Sequence, residues 1–306
     1  MIRRFIASVM PRHTLLFLLL MCIVTHVTGS KANRRTVTLR VASFNNQYDN
    51  TRAPAGAGVW KGRLPLVLQM LREEKFDIVG MQEPYWHQVK DMDEALKKDY
   101  AWVGCSVRGQ LKNDKRHYNP IFYRWKRFEL LRWGSFWYSE TPWLAGSKSW
   151  DSYSPRMCVW AEFRDKKSGI KFYHFNSHFD HLGETARRKS AQILLQKVKD
   201  IAHGAPAFCT GDFNADEKSE TYRILTQDGL LDDSYNIAAK RINANMRSYN
   251  GYTYPLKQID NAQHIDHLFV TKGTSVPYWR LVTTAYEGKY PSDHCPIVVE
   301  WTLPGL

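Results

Sequence analysis

The sequence predicts an α/β chain in which two mixed β-sheets pack face to face with helices outside, a four-layered α/β sandwich. Three patterns predict it: an opening that alternates strand and helix signals, a middle dominated by strand signals, and one long amphipathic helix among the strands. A chain of 306 residues can bury one large core. From residue 36 to 306 no repeat, low-complexity run or linker composition divides it, so a single domain is expected there.

Val37, Leu39 and Val41 alternate with polar residues as in a strand. Leu64, Val67, Leu68 and Leu71 then recur at helical spacing and predict a helix from Arg63 to Glu74. Ile78 to Met81 is a short buried-strand run, and Pro84 suits the first turn of a helix reaching toward Leu96. Strand signals follow at Tyr100 to Val107, Ile121 to Arg124, Phe128 to Tyr138, Cys158 to Phe163 and Lys171 to Asn176. Ile193, Leu194, Val198 and Ile201 mark a helix from about Glu184 to Ala202. The remaining strands are expected at Ala207 to Thr210, Ile265 to Val270, Leu281 to Ala285 and Ile297 to Thr302.

Residues 1–30 read as a targeting segment. Arg3, Arg4 and Arg12 precede the apolar run Leu15 to Val27, and Thr28, Gly29 and Ser30 follow it. The run is short for a membrane span, so a cleaved signal peptide and a secreted or extracytoplasmic protein are expected. The alternative is an uncleaved signal anchor that tethers the protein to a membrane. The formal net charge is +13, and the segment contributes only those three arginines to it. Such a field favours encounter with polyanions or acidic surfaces and does not specify chemistry. Cys105, Cys158, Cys209 and Cys295 are widely spaced within apolar runs and lack the close pairs of a zinc site. Buried thiols are preferred, with one or two disulfides as the alternative.

The polar residues that stand out fall at predicted strand ends. Asn45 ends the first strand, Glu83 the second and His178 the Lys171 strand, while Asp212 and Asn214 follow Ala207 to Thr210. Loops carried by a rigid sheet are where sites are built, because the sheet fixes their geometry. Carboxylates with side-chain amides are hard oxygen donors suited to Mg²⁺ or Mn²⁺. In Gly211-Asp212-Phe213-Asn214-Ala215-Asp216 the glycine permits a tight turn, and an acid and an amide two apart can share one pocket. The bland reading is an Asp/Asn turn closed by its own side chains. Ser292-Asp293-His294 sets a carboxylate beside an imidazole, and Asp266 in Ile265-Asp266-His267 could orient that ring.

These residues, taken together, resemble the endonuclease/exonuclease/phosphatase superfamily of deoxyribonuclease I-like enzymes. The likeness runs from Val37 to Trp301 with its motifs in family order: Ser43-Phe44-Asn45, Gly80-Met81-Gln82-Glu83, Asn176-Ser177-His178-Phe179-Asp180-His181, Gly211-Asp212-Phe213-Asn214, Ile265-Asp266 and Ser292-Asp293-His294. Asn119 to Tyr123, Gly134 to Pro142 and Pro155 to Trp160 look like a bacterial-type subgroup. The resemblance implies a four-layered sandwich and a magnesium-dependent phosphoester hydrolase. It implies that Glu83 binds the metal, with Asn45 beside it and Asp293 supporting the metal-water network. It further implies that Asp212 positions or deprotonates the attacking water and Asn214 orients it. His178 and His294 would contact phosphoryl oxygens, with Asp266 orienting His294. Arg116-His117-Tyr118 stands where relatives often carry an acid, and His264 where an arginine is usual.

Arg63 and Arg156 are candidates to hold a distal phosphate or to form internal ion pairs, and Tyr123 is a further substrate-binding candidate. Trp133, Trp137, Trp143, Trp150 and Trp160 serve either the core or substrate stacking. The charge and the expected secretion point first to a nuclease or phosphodiesterase acting on nucleic acid. The alternative is a phosphatase of a small phosphorylated molecule, either a sugar phosphate or a phospholipid head group, and no long apolar hairpin supports the lipid. A monomer is expected, with no obligate protein partner. A non-catalytic binding module is the reading of another class, and loss of Glu83, Asp212 or His294 would indicate it; all three are present.

Overall fold

The computed structural model describes residues 36–304. The targeting segment expected at residues 1–30 lies outside them. Among the described residues no helix is long and apolar enough to cross a membrane.

The opening follows the predicted alternation. Strand β1 (Val37–Asn45) leads to α1 (Trp60–Glu74), then β2 (Ile78–Gln82) and α2 (Trp86–Leu96). Helix α1 starts three residues before the expected Arg63. Helix α2 starts after Pro84, capped at Tyr85, whose backbone N–H donates to Gln88 Oε1 at 2.9 Å. Next come β3 (Tyr100–Val103), β4 (Ile121–Arg124), β5 (Phe128–Trp137), β6 (Met157–Asp165) and β7 (Lys171–His178). Strand β3 is shorter than predicted because Gly104, at φ +143°, turns the chain against Asn119 and Pro120.

Helix α3 (Glu184–Ala202) precedes β8 (Ala207–Asp212), α4 (Glu220–Gln227), β9 (Leu231–Asp233), α5 (Ser234–Ile237) and β10 (Lys240–Ile242). The chain closes with β11 (Asp266–Thr271), β12 (Ser275–Leu281) and β13 (Ile297–Leu303). The strand expected at Leu281 to Ala285 is therefore displaced: β12 ends where it was to begin. Val276, Trp279 and Leu281 bury its inner face, and Pro277 falls in the register shift between Ser275 and Tyr278. A proline inside a run argues against a strand except at such an irregularity.

Seven strands form one sheet in the order β10-β12-β13-β1-β2-β4-β3, and six form the other, β5-β6-β7-β8-β11-β9. Each sheet is mixed: β1 pairs with β2 and β7 with β8 in parallel, flanked by antiparallel neighbours. The inner faces meet through Leu39, Val41, Ile78, Val159, Phe163, Phe172, Phe208 and Trp301. Val67, Met70 and Leu71 of α1 cover Ala42, Phe44 and Val79 on the outside of one sheet. Leu194, Leu195 and Val198 of α3 cover Phe175 and Cys209 on the outside of the other. The central strands are buried on both faces and so read as apolar runs, as parallel strands do. Cys105, Cys158, Cys209 and Cys295 are buried free thiols.

Polar side chains interrupt the apolar interface below one end of the sandwich. Asn176 Nδ2 donates to Met81 O at 2.7 Å, and its Oδ1 accepts from Gln82 Nε2 at 2.7 Å and Thr210 Oγ1 at 3.0 Å. The sheets approach so closely there that a Cβ on Gly80 would collide with Thr210 Oγ1 and the Asn176 amide.

Candidate active site

The register of the central strands brings the candidate residues to one end of the sandwich. Asn45 sits opposite Gln82 where β1 and β2 end, and Glu83 follows directly. His178 pairs with Asp212, and Asp212 with Asp266, where β7, β8 and β11 meet. One sheet thus supplies Asn45 and Glu83, and the other His178, Asp212 and Asp266. Asp293 and His294 lie in the segment just before β13, which borders β1. Gln47, Glu83 and Asn214 have φ of 49°, 76° and 47°, a left-handed backbone that non-glycine residues rarely adopt and that gathers at functional sites.

Asp212 is the hub. Its Oδ2 accepts from Asn45 Nδ2 at 2.9 Å and lies 3.6 Å from His178 Nε2 and 3.8 Å from His294 Nε2. Its Oδ1 accepts the Asn214 backbone N–H at 3.0 Å, closing the turn that the Asp-Phe-Asn spacing suggested. Asn45 Nδ2 also donates to Glu83 Oε1 at 3.1 Å, while Asn45 Oδ1 accepts the Gln47 N–H. Asn45, expected among the metal ligands, lies between the two carboxylates and donates to both through Nδ2. Asn214 Nδ2 is turned to Phe179 O at 3.1 Å.

The electrostatics divide the two histidines. Burial depresses His178 well below the usual value, and the Arg156 cation pushes it the same way. Burial would depress His294 too, but the carboxylates of Asp266, Asp212 and Asp293 outweigh it and hold that ring well above its usual value. His294 Nδ1 meets Asp266 Oδ2 at 2.8 Å, which turns Nε2 toward Asp212. One ring is thus neutral and its neighbour cationic at neutral pH.

The acids fit a divalent cation. Ligand atoms of Glu83, His178 and Asp212 lie within 4.8 Å of one another. Burial and then the Asp266 charge push Asp212 up to about 7, and burial with the Glu83 charge pushes Asp293 up to about 6. A bound cation would relieve that crowding, and the donors are the hard oxygens that Mg²⁺ or Mn²⁺ prefers. Asp212, Asp266 and His294 are equally close, and there the His294 Nδ1–Asp266 Oδ2 contact at 2.8 Å makes a hydrogen-bonded relay that leads from Asp266 through the ring toward Asp212.

The cleft above these residues has a volume of about 1630 Å³ and is lined by Glu83, Arg156, His178, Asp212, Asn214, Asp293 and His294 among others. Two expected substrate contacts lie elsewhere. Tyr123 packs between the sheets with its ring 4.9 Å from Phe163, because the alternation of β4 turns Ile121 and Tyr123 inward. Arg63 is 2% exposed, and its guanidinium donates to the carbonyls of Asn46, Gln47, Tyr48, Gly58 and Pro291. Among the described residues it forms no ion pair, and its burial turns it away from the cleft. Arg156 does face the cleft, with Nε 3.4 Å from Asp180 Oδ2 and Nη2 donating to His181 Nδ1 at 2.9 Å. None of Trp133, Trp137, Trp143, Trp150 and Trp160 lines the cleft.

Three cleft residues were given no role from the sequence. Gln47 donates to Asp293 Oδ2 and accepts from Tyr252 Oη at 2.6 Å, joining two loops distant in sequence. His117 stacks on Tyr48 with ring centroids 5.2 Å apart, and His181 closes the wall beside Arg156. The last two stood in motifs already singled out, Arg116-His117-Tyr118 and the His178 run, but carried no assigned role.

The sequence profile of the Endonuclease/Exonuclease/phosphatase family matches residues 58–294. A mannosyl-6-phosphatase from Bacteroides thetaiotaomicron is 37% identical, covering 87% of this chain and 100% of that one, with a TM-score of 0.80. An endonuclease/exonuclease/phosphatase family protein from Bacteroides thetaiotaomicron is 36% identical, covering 88% and 96%, with a TM-score of 0.81. An uncharacterized protein of Acanthamoeba polyphaga mimivirus is 26% identical over 261 residues, 78% of this chain and 91% of that protein. The chain belongs to the endonuclease/exonuclease/phosphatase family and is a phosphoester hydrolase.

Proposed function

We propose that the chain hydrolyses a phosphomonoester on a sugar-bearing molecule, with a divalent cation and with Asp212 as the base. The observation that carries this reading is the Asp212 hub, where one carboxylate oxygen accepts from Asn45 Nδ2 at 2.9 Å and lies within 4 Å of the His178 and His294 Nε2 atoms, in place to accept a proton from a water held between them. Asp212 takes the proton of the attacking water, and the Asn214 turn keeps that carboxylate aimed. The water oxygen bonds to phosphorus as the bond to the leaving sugar oxygen breaks, and that oxygen takes a proton from solvent water in the cleft to leave as the alcohol. His294, cationic and oriented by Asp266, donates a hydrogen bond from Nε2 to a phosphoryl oxygen, and His178 donates from its own Nε2. Glu83 and Asp293, with Asp212 beside them, would hold Mg²⁺ or Mn²⁺, which supplies Lewis-acid charge stabilisation when bound.

The choice of a sugar monoester is supported by the relative at 37% identity, a mannosyl-6-phosphatase. A nuclease or phosphodiesterase remains the second reading, favoured by the net charge of +13. Secretion, or tethering through residues 1–30, belongs to the same proposal and rests on the arginine-flanked apolar run.

The test is release of phosphate from mannose 6-phosphate with Mg²⁺, beside an oligonucleotide, Asp212→Ala and EDTA. Sugar phosphate turnover abolished by both the substitution and the chelator is expected. Cleavage of the oligonucleotide alone would replace the first reading with the second. Turnover of neither by folded, metal-loaded protein would sink both.

A further inference from the structure

One wall of the cleft has no part in the chemistry proposed above. The loop after β1 contributes Tyr48 and Arg52, the segment before β4 contributes Arg116 and His117, and Tyr85 caps α2. Tyr48 and His117 stack with centroids 5.2 Å apart and planes at 19°, and Tyr85 lies 5.3 Å from His117 and 5.6 Å from Tyr48. The three rings form a continuous, half-exposed shelf. It adjoins the reacting centre, because the Tyr48 backbone N–H donates to Glu83 Oε2 at 3.3 Å. Such a shelf attracts the apolar face of a sugar or a flat base.

Arg52 and Arg116 flank the shelf, both exposed. Among the described residues neither guanidinium has a carboxylate within 4.0 Å, whereas Arg108 in the same cleft is tied to Asp114 and Arg156 to Asp180. The carboxylates that line the cleft are Glu83, Asp212 and Asp293, all at the reacting centre. The acids nearest the rings are engaged elsewhere, Asp49 with His87 at 3.1 Å and Glu83 at the reacting centre, so the two guanidiniums are left to recognise an anion by charge-assisted hydrogen bonds. The cleft, at about 1630 Å³, also exceeds the roughly 300–1,000 Å³ usual for small-molecule sites. A hexose monophosphate would leave this wall uncovered.

We propose that this wall is a subsite for a second phosphate on the same substrate, with the intervening ring lying on Tyr48, Tyr85 and His117 and the phosphate on Arg52 and Arg116. The inference rests on the phosphoester reading and names the substrate class within it. A sugar bisphosphate and a 5′-phosphorylated dinucleotide share that chemistry, and the test separates them.

Rates of hydrolysis with Mg²⁺, read as released phosphate and for the dinucleotide also as released mononucleotide, are to be compared for mannose 6-phosphate, mannose 1,6-bisphosphate and a 5′-phosphorylated dinucleotide. One of the doubly phosphorylated probes is expected to exceed mannose 6-phosphate in kcat/KM by roughly tenfold or more, and which one does so names the source of the second phosphate. That advantage should disappear in the double variant Arg52→Ala, Arg116→Ala and return in part with lysine at both positions. Equal kcat/KM for all three probes overturns the proposal, as does an advantage that survives in the alanine variant. If no probe is hydrolysed, calorimetric titration of the same probes separates the two ideas. Arginine-dependent binding of a doubly phosphorylated probe would keep the subsite and sink the hydrolytic reading, and arginine-independent binding would sink the subsite.

Discussion

Arg63→Met removes a cation that holds the active-site loops from behind. The side chain is 2% exposed, and its donors reach Asn46 O at 2.7 Å, Gln47 O at 3.0 Å, and Tyr48 O, Gly58 O and Pro291 O at 3.1 Å. Hydrogen bonds from a charged group contribute roughly 1.5–3 kcal/mol each, and a naive sum over five would overshoot. The five share one group, and its burial, which lowers the Arg63 pKa, offsets part of the gain. Methionine refills most of the volume but leaves the carbonyls without that donor. A loss of about 3–5 kcal/mol is therefore expected, the range for breaking one side of a buried charged network. Domains are stable by only about 5–15 kcal/mol, so the urea midpoint should fall sharply with the slope unchanged. Arg63→Lys keeps the charge but offers three donors from one point, and should recover less than half of the loss. Because the clamp fixes Gln47, which bonds Asp293, and Tyr48, whose N–H meets Glu83, Mn²⁺ affinity by calorimetry should fall in the variant that remains folded. A methionine variant within about 1 kcal/mol of the parent would refute the clamp.

Three further outcomes follow from single contacts. Asp266→Asn removes the first charge that raises His294, so the imidazolium should be lost at lower pH and the alkaline limb of the kcat profile should move down; an unmoved limb with lowered kcat would leave Asp266 a merely structural role. Asp180 accepts the backbone N–H groups of Tyr153, Ser154, Leu182 and Gly183, which overcome burial and hold it well below the usual carboxylate range. A depressed folded pKa means that stability is full above the unfolded value near 4 and is lost as pH falls through the folded one. Asp180→Asn should therefore lower stability at pH 7 and flatten its decline between about pH 4 and 2 in urea titrations. Gly80→Ala forces a Cβ against Thr210 Oγ1 and the Asn176 amide, and calorimetric unfolding should report a loss of about 1–3 kcal/mol.

Strand-end placement of the catalytic candidates was legible because it depends on local pattern. A buried strand reads as a mainly apolar run, and Asn45, His178 and Asp212 stand where such runs end. Pairing was not legible, because the register that sets His178 beside Asp212 and Asp212 beside Asp266 joins residues 34 and 54 positions apart in sequence. The same separation hid that the site spans two sheets. Strand β12 was missed because Pro277 breaks its alternation, and the bulge that admits the proline exists only when β13 is beside it.

Arg63 shows a harder limit. An arginine in an amphipathic helix pattern suggests a carboxylate or phosphate partner, because those acceptors can be named from sequence. Its actual acceptors are backbone carbonyls of Asn46, Gln47, Tyr48, Gly58 and Pro291, and every residue carries a carbonyl. What selects these five is that the β1–α1 loop curls back on the helix that follows it, while the segment before β13 passes alongside. The left-handed backbone at Gln47 and Ala55 and the tight packing of Gly58 against Asn50 O record that curl. A loop held through its carbonyls keeps its side chains free, and this one turns Gln47, Tyr48 and Arg52 into the cleft. The clamp and the cleft wall are therefore the two faces of one loop, so a substitution at Arg63 should disturb ring and anion recognition at the shelf as well as the acids at the reacting centre.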